Sequence, residues 1–310
     1  VVLVAVPDRA QAEAVAGASR GPEAGGAPDP LDRVPPLALV LTGIVSVQFG
    51  AALATTLFAD LGPSGTVMLR IGFAALIMFV AVRPRWRDYD RSSLRLVLVF
   101  GIALAVMNLS FYEALDRIPL GITVTIEFAG PLAVAVIGSR RPLDLLWAAL
   151  AAAGILLLAN PGGADGVDPT GVAFALVAAV CWAGYIVLAE RAGPSFQGSD
   201  GVTMAMVVAA VFPIVPGVLE AGTALLDPTT LAIGAGVGLL SSAIPYSLET
   251  EALRRIPRQV FSVLMSLEPA VAALAGFLIL GQDLVPREIV AIGLVVAASV
   301  GASRFAGARS

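Results

Sequence analysis

Along the chain, apolar residues gather in blocks of roughly 17 to 25, broken by short polar stretches. That is the length an α-helix needs to cross about 30 Å of hydrocarbon at about 1.5 Å per residue. The blocks predict spans over 37–59, 64–82, 95–114, 118–138, 143–159, 170–190, 201–219, 229–250, 256–280 and 286–303. Residues 1–36, rich in Ala, Gly, Pro, Asp and Glu, read as a disordered cytoplasmic tail. The opening Val1 to Val6 run is too short for a signal-peptide core and has no basic flank. Apart from Arg83 to Arg95 the connections are only a few residues long, so no soluble domain is inserted.

Composition supports lipid as the solvent: 58% of the 310 residues are hydrophobic and 14% are charged. A net charge of −4 offers no broad basic surface and argues against a nucleic-acid partner. There is no histidine, and every one of the 19 basic residues is arginine. Without lysine the chain has no Walker A loop of its own and no Schiff base for retinal or pyridoxal phosphate. No metal-ligand cluster stands out, and no cofactor is expected. The single cysteine, Cys181, lies in an apolar span and reads as a packing residue.

Charge also orients the chain. With the N-terminus inside, Arg83, Arg85, Arg87, Arg91 and Arg95 share one cytoplasmic loop. Arg140, Arg141, Arg191, Arg254, Arg255, Arg258 and Arg304 fall on the same side, leaving Arg117 and Arg287 outside. Both termini are then cytoplasmic. The chain repeats itself as well: Ala114-Leu115-Asp116-Arg117-Ile118-Pro119 returns as Ala252-Leu253-Arg254-Arg255-Ile256-Pro257, and the same spacing carries Pro131 onto Pro269 and Gly138 onto Gly276. A five-helix unit has an odd number of crossings, so its second copy enters from the opposite side. The sequence therefore predicts an all-α membrane protein of about ten spans, with inverted repeats over 37–160 and 170–303 around a central cavity. Such halves suit two faces opening alternately around a fixed site.

Charged groups at the bilayer centre cost about 2.5 to 3.5 kcal/mol on insertion scales, so the few present call for a reason. Glu127 falls about midway down the fourth span and Glu268 about midway along the ninth. Glu127 is four residues before Pro131 and Glu268 one before Pro269, spacings that differ by about a helical turn and put both carboxylates on one face. Proline in a span frees a backbone carbonyl, so Pro131, Pro269 and Pro245 are candidate breaks or gates. The plainer alternative is a pair of structural kinks with locally neutralised carboxylates. Arg70, well inside the second span, either snorkels outward or points inward to pair with a glutamate or a substrate carboxylate. Two carboxylates against one guanidinium leave one to take a proton or to receive a cationic group, which suits proton-coupled export of an amine-bearing solute. Gln48, Asn108, Tyr112, Trp182, Tyr185, Ser241, Ser242 and Tyr246 are further mid-membrane candidates, each also suited to helix packing. Glu113, Glu249 and Glu251 lie near span ends and are expected at the interface.

Certain stretches are more specific than hydropathy. They are Pro119-Leu120-Gly121-Ile122, Glu127-Phe128-Ala129-Gly130-Pro131-Leu132-Ala133-Val134, Ser139-Arg140-Arg141-Pro142-Leu143-Asp144, Cys181-Trp182-Ala183-Gly184-Tyr185-Ile186, Ser241 to Glu249, and Leu264-Met265-Ser266-Leu267-Glu268-Pro269-Ala270. In these the chain resembles the drug/metabolite transporter superfamily (EamA-type), in its threonine/homoserine exporter branch, over about residues 37–303. The resemblance implies a five-plus-five inverted-repeat fold with a central cavity. It also implies efflux of threonine, homoserine or related zwitterionic amino acids from a bacterial cytoplasm, hence a place in the inner membrane. Gln282 departs from the pattern, such chains commonly having glutamate there, and so does the long N-terminal tail. A carrier of sugars or nucleotide sugars is the alternative within transport, but phosphates want several intramembrane basic residues. An integral membrane enzyme using paired carboxylates is the alternative from another class.

Overall fold

The computed structural model describes residues 34–137, 142–159, 167–192, 195–196, 200–256 and 258–306. Among them every regular element is helical. The first half comprises α1 (Pro36–Thr55), α2 (Phe58–Val82), α3 (Arg91–Leu115), α4 (Leu120–Glu127), α5 (Ala129–Ile137) and α6 (Pro142–Ala159). The second comprises α7 (Pro169–Ala192), α8 (Asp200–Val211), α9 (Ile214–Ala221), α10 (Pro228–Gly238), α11 (Ile244–Arg255), α12 (Arg258–Met265), α13 (Glu268–Leu280) and α14 (Pro286–Ala306). Among the described residues five stretches are singly long and apolar enough to cross a membrane, and Asp200–Val211 with Ile214–Leu226 qualifies as a pair bent by 45°. The chain is a multi-pass membrane protein. Most of the predicted 1–36 tail, with Gly138, Arg140, Arg141 and Pro257, lies outside the described residues.

The distribution of polarity is that of a lipid-solvated bundle. Leu76, Val80, Val180, Leu219 and Ile289 point outward, whereas Gln48, Thr66, Asn108, Thr123, Thr125 and Thr203 are buried. Interior hydroxyls bond locally or across helices: Thr125 donates to the carbonyl of Gly121, and the Ser266 and Ser299 hydroxyls meet at 2.7 Å. With lipid as apolar as leucine, such bonds and close packing hold helices together. Gly121 is required for this. A Cβ there would lie 2.7 Å from the Cα of Ala273, because α4 and α13 cross backbone to backbone.

Polar side chains define helix ends where water is near. Asp90 caps α3 by accepting from the Ser93 N–H at 2.9 Å and the Ser92 hydroxyl at 2.6 Å, which holds its carboxyl down at about 2. Asp227 caps α10 through the N–H and hydroxyl of Thr230 and is likewise held below its ordinary value. The first predicted span overran its helix. Thr55 and Thr56 turn their hydroxyls back onto the carbonyls of Ala52 and Leu53, and α1 stops there. Residues 60–63, read as a connection, instead belong to the start of α2, which is broken at Gly62, with a φ of +65°, just before Pro63. The 201–219 segment also differs from a straight span, bending at Phe212 and Pro213 between α8 and α9.

The repeated motif carries an ion pair that extends it. Glu113 and Arg117 pair at 2.6 Å at the end of α3, and Glu251 and Arg255 pair at 2.5 Å at the end of α11. Arg117 stacks over Phe174 near the start of α7, while Arg255 donates to the carbonyl of Val34 just ahead of α1. Helix α1 packs on α11 and α13, α3 on α7 and α8, α2 on α8, α9 and α10, α4 on α7 and α13, and α6 on α14.

Candidate functional site

The middle of the bundle is built from interrupted helices. At Phe128 the chain breaks between α4 and α5, and Pro131, having no N–H, leaves the carbonyl of Glu127 without its partner four residues on. Ser266 and Leu267 break α12 from α13, and Pro269 does the same to Met265. Between α10 and α11, residues Leu239–Ala243 widen into a π turn, where the N–H of Ile244 reaches the carbonyl of Leu239. In that register the Leu240 carbonyl would look to Pro245, which has no N–H to give. The Ser46 hydroxyl of α1 donates to it instead, at 2.7 Å. All three proline positions read as breaks from the sequence therefore lie beside one.

Between these breaks lies a cavity of about 30 Å³ lined by Val47, Gln48, Ala51, Arg70, Met107, Asn108, Phe111, Val124, Glu127, Trp182 and Glu268. A cavity of that size admits water, and an amino acid enters only if the walls part. Glu127 and Glu268 are 8% and 1% exposed. Arg70 points inward rather than snorkelling. Its Nη1 donates to Asn108 Oδ1 at 2.7 Å, Nη2 lies 3.5 Å from the Ser241 carbonyl, and the guanidinium sits 5.4 Å over the Tyr112 ring. The Asn108 amide in turn donates to the Leu104 carbonyl at 2.8 Å, which fixes its oxygen toward Arg70. Among the described residues no carboxylate forms an ion pair with Arg70, so of the two inward alternatives the Arg–Glu pair is not the arrangement found.

Several buried polar atoms here have no hydrogen-bond partner: Arg70 Nε, Trp182 Nε1, Ser241 Oγ and Glu268 Oε1. Each such atom costs about 1–3 kcal/mol if left dry. A cluster of donors and acceptors around one small cavity is the signature of a place that water or a polar solute completes. Trp182 is held edge-on against Phe128 at 5.5 Å, beside the α4–α5 break. No three His, Cys, Asp or Glu side chains among the described residues come together as a metal site.

Of the candidates read from sequence, Gln48, Arg70, Asn108, Glu127, Trp182 and Glu268 meet at the cavity, with Tyr112 and Ser241 immediately behind Arg70. Tyr185 stands apart, packed on Phe100 at 5.0 Å. Tyr246 is on α11, but its side chain lies outside the described residues. Gln282 is remote from the cavity and accepts from the Leu120 N–H at 3.0 Å, at the start of α4. One expectation is corrected: Glu249 is not interfacial but 2% exposed, with Oε1 unpartnered. Its place at the end of the predicted 229–250 span suggested access to water, whereas its own face of α11 is covered by α1.

Residues 169–304 match the EamA-like transporter family. Over 272 residues the chain is 42% identical to the threonine/homoserine exporter RhtA of Escherichia coli K12, covering 86% of this chain and 91% of that protein. The match to RhtA of Salmonella typhimurium LT2 has the same identity and coverage. A solved crystal structure 20% identical in sequence superposes with a TM-score of 0.58 over 87% of this chain and 97% of the other, a likeness of fold. The chain is therefore a transporter rather than an enzyme, a member of the EamA-like transporter family alongside the threonine/homoserine exporters.

Proposed function

We propose that this chain exports small zwitterionic amino acids of the threonine and homoserine type from the bacterial cytoplasm, driven by protons moving the other way. The observation that carries the proposal is one guanidinium and two carboxylates around a single buried cavity, with no ion pair between them. A zwitterion supplies the missing partners: its carboxylate takes the free donors of Arg70, and its ammonium takes a glutamate together with carbonyls freed at the helix break. The 42% identity to RhtA points to the same solutes. A lone arginine is too little for a nucleotide sugar's phosphates. Counterflow in proteoliposomes tests the solute: unlabelled threonine or homoserine inside is expected to drive uptake of the labelled form. Exchange of a sugar phosphate with none of either amino acid would overturn the assignment.

The same proposal includes ten crossings in two inverted halves, with both termini in the cytoplasm. It is supported by the matched ion pairs Glu113–Arg117 and Glu251–Arg255 and by the exchange of pairings: α1 on α11 is answered by α7 on α3, while α4 with α13 and α6 with α14 pair across the halves. The arginine-rich 83–95 connection sets the orientation. Cys181 is the only cysteine, so a Cys181→Ser background gives a clean probe. A new cysteine at Arg87 is expected to resist an impermeant maleimide in intact cells and to react after permeabilisation. Ready labelling in intact cells would reverse the topology.

A further inference from the structure

Resting on the reading of this chain as a proton-coupled exporter, we propose that Glu249 is a third carboxylate of the transport path, carrying protons between the central pair Glu127 and Glu268 and the water at the Arg255 end of α11. Glu249 does not line the central cavity. It sits one helical turn beyond Pro245, where α11 emerges from the π turn, and its Oε1 is buried with no partner. Gly43 of α1 lies against it: a Cβ there would lie 3.4 Å from Glu249 Cγ, 3.5 Å from its Oε1 and 3.8 Å from the Pro245 Cα. A carboxylate that serves only structure would be tied by hydrogen bonds. This one is 2% exposed, one turn beyond the π turn, with Oε1 unpartnered.

Among the described side chains no cation pairs with Glu249, which leaves a proton as its partner. Helix α1 contributes no ionisable side chain, nor does the π turn. Helix α12 carries Arg258 at its first position, and on α11 Glu251 is engaged by Arg255. Glu268 on α13 is within electrostatic range of both Glu249 and Glu127. Glu268 thus stands electrostatically between the other two carboxylates. The spacing that carries Pro131 onto Pro269 carries Phe111, a residue of the cavity wall, onto Glu249. The place of an aromatic wall in one half is thus taken by a carboxylate in the other. In the transport cycle the proton leaves a Glu268 or Glu127 carboxyl, rests on the Glu249 carboxylate and passes to water beyond Arg255. Straightening and widening of the π turn moves Glu249 between the two.

The test separates proton coupling from solute exchange. In proteoliposomes, Glu249→Gln is expected to keep threonine counterflow within about twofold of the unaltered protein and to lose accumulation driven by a pH gradient at least tenfold. Full gradient-driven accumulation by Glu249→Gln overturns the proposal. So does equal loss of both activities in a folded variant, which would make Glu249 a solute ligand or a structural group. Should Glu249→Gln fail to fold, Glu249→Asp retains a proton carrier one methylene shorter, and the pH profile of gradient-driven accumulation is expected to move; an unmoved profile overturns the proposal equally. Absence of counterflow in the unaltered protein would instead strike the exporter reading itself.

Discussion

Glu127→Gln is expected to abolish gradient-driven export of threonine and homoserine while leaving a folded, membrane-inserted protein. The amide has the size and shape of the carboxylate, and Glu127 makes no described ion pair whose loss would leave a charge stranded. What disappears is the negative charge at the C-terminal end of α4, where the carbonyl freed by Pro131 adds a second acceptor for an ammonium. A charge-assisted hydrogen bond contributes about 1.5–3 kcal/mol, roughly a 10- to 100-fold loss of ammonium binding. Loss of the proton carrier adds to this. The comparison is made on purified protein of matched thermal midpoint, with export and counterflow both measured. A purely structural carboxylate predicts the reverse pattern, a lower midpoint with residual transport at its ordinary rate and pH dependence. If Glu127→Gln and Glu268→Gln both transport normally, neither is a coupling group, and attention shifts to Asn108, Trp182 and Tyr246.

Much of this site is legible in the chain because burying charge in hydrocarbon is expensive. Glu127, Glu268 and Arg70 stood out as mid-span ionisable residues, and the structure brings all three to one cavity. Their mutual arrangement was not legible. Opposite charges in one membrane suggest an ion pair, yet the terminal nitrogens of Arg70 are engaged by Asn108 and the Ser241 carbonyl and its guanidinium stacks on Tyr112. Those partners come from α3 and the π turn, and no local sequence rule specifies a π turn. Hydropathy windows blur short interruptions for the same reason: the break at Phe128 and the Phe212–Pro213 bend are as apolar as the helices they divide. Glu249 was expected to reach water because it falls at the end of the predicted 229–250 span, whereas burial is decided by what packs alongside. Here that is Gly43 of α1, remote in sequence.

Arg70→Lys is expected to raise the KM for threonine by about 10- to 100-fold with a much smaller change in kcat, because it retains a positive charge but loses the planar fork that holds a carboxylate through two bonds. Arg70 is well placed for that role. Asn108 fixes one terminal nitrogen at 2.7 Å, Tyr112 supports the guanidinium face, and Nε remains without a partner. A lysine ammonium has three donors on a flexible stem and can reach Asn108 or a solute, but cannot present parallel N–H groups to both. Asn108→Asp probes the same point from the other side. It places a carboxylate where the Asn108 oxygen now lies, so Arg70 gains an internal ion pair and its attraction for a solute carboxylate is cancelled. Transport is expected to fall at least as far as in Arg70→Lys, while the thermal midpoint holds or rises, since a buried charge has gained a partner. A structural arginine would instead give a lower midpoint in Arg70→Lys with KM unchanged. Measured KM and midpoint for the two variants therefore decide whether this guanidinium holds the bundle or holds the solute.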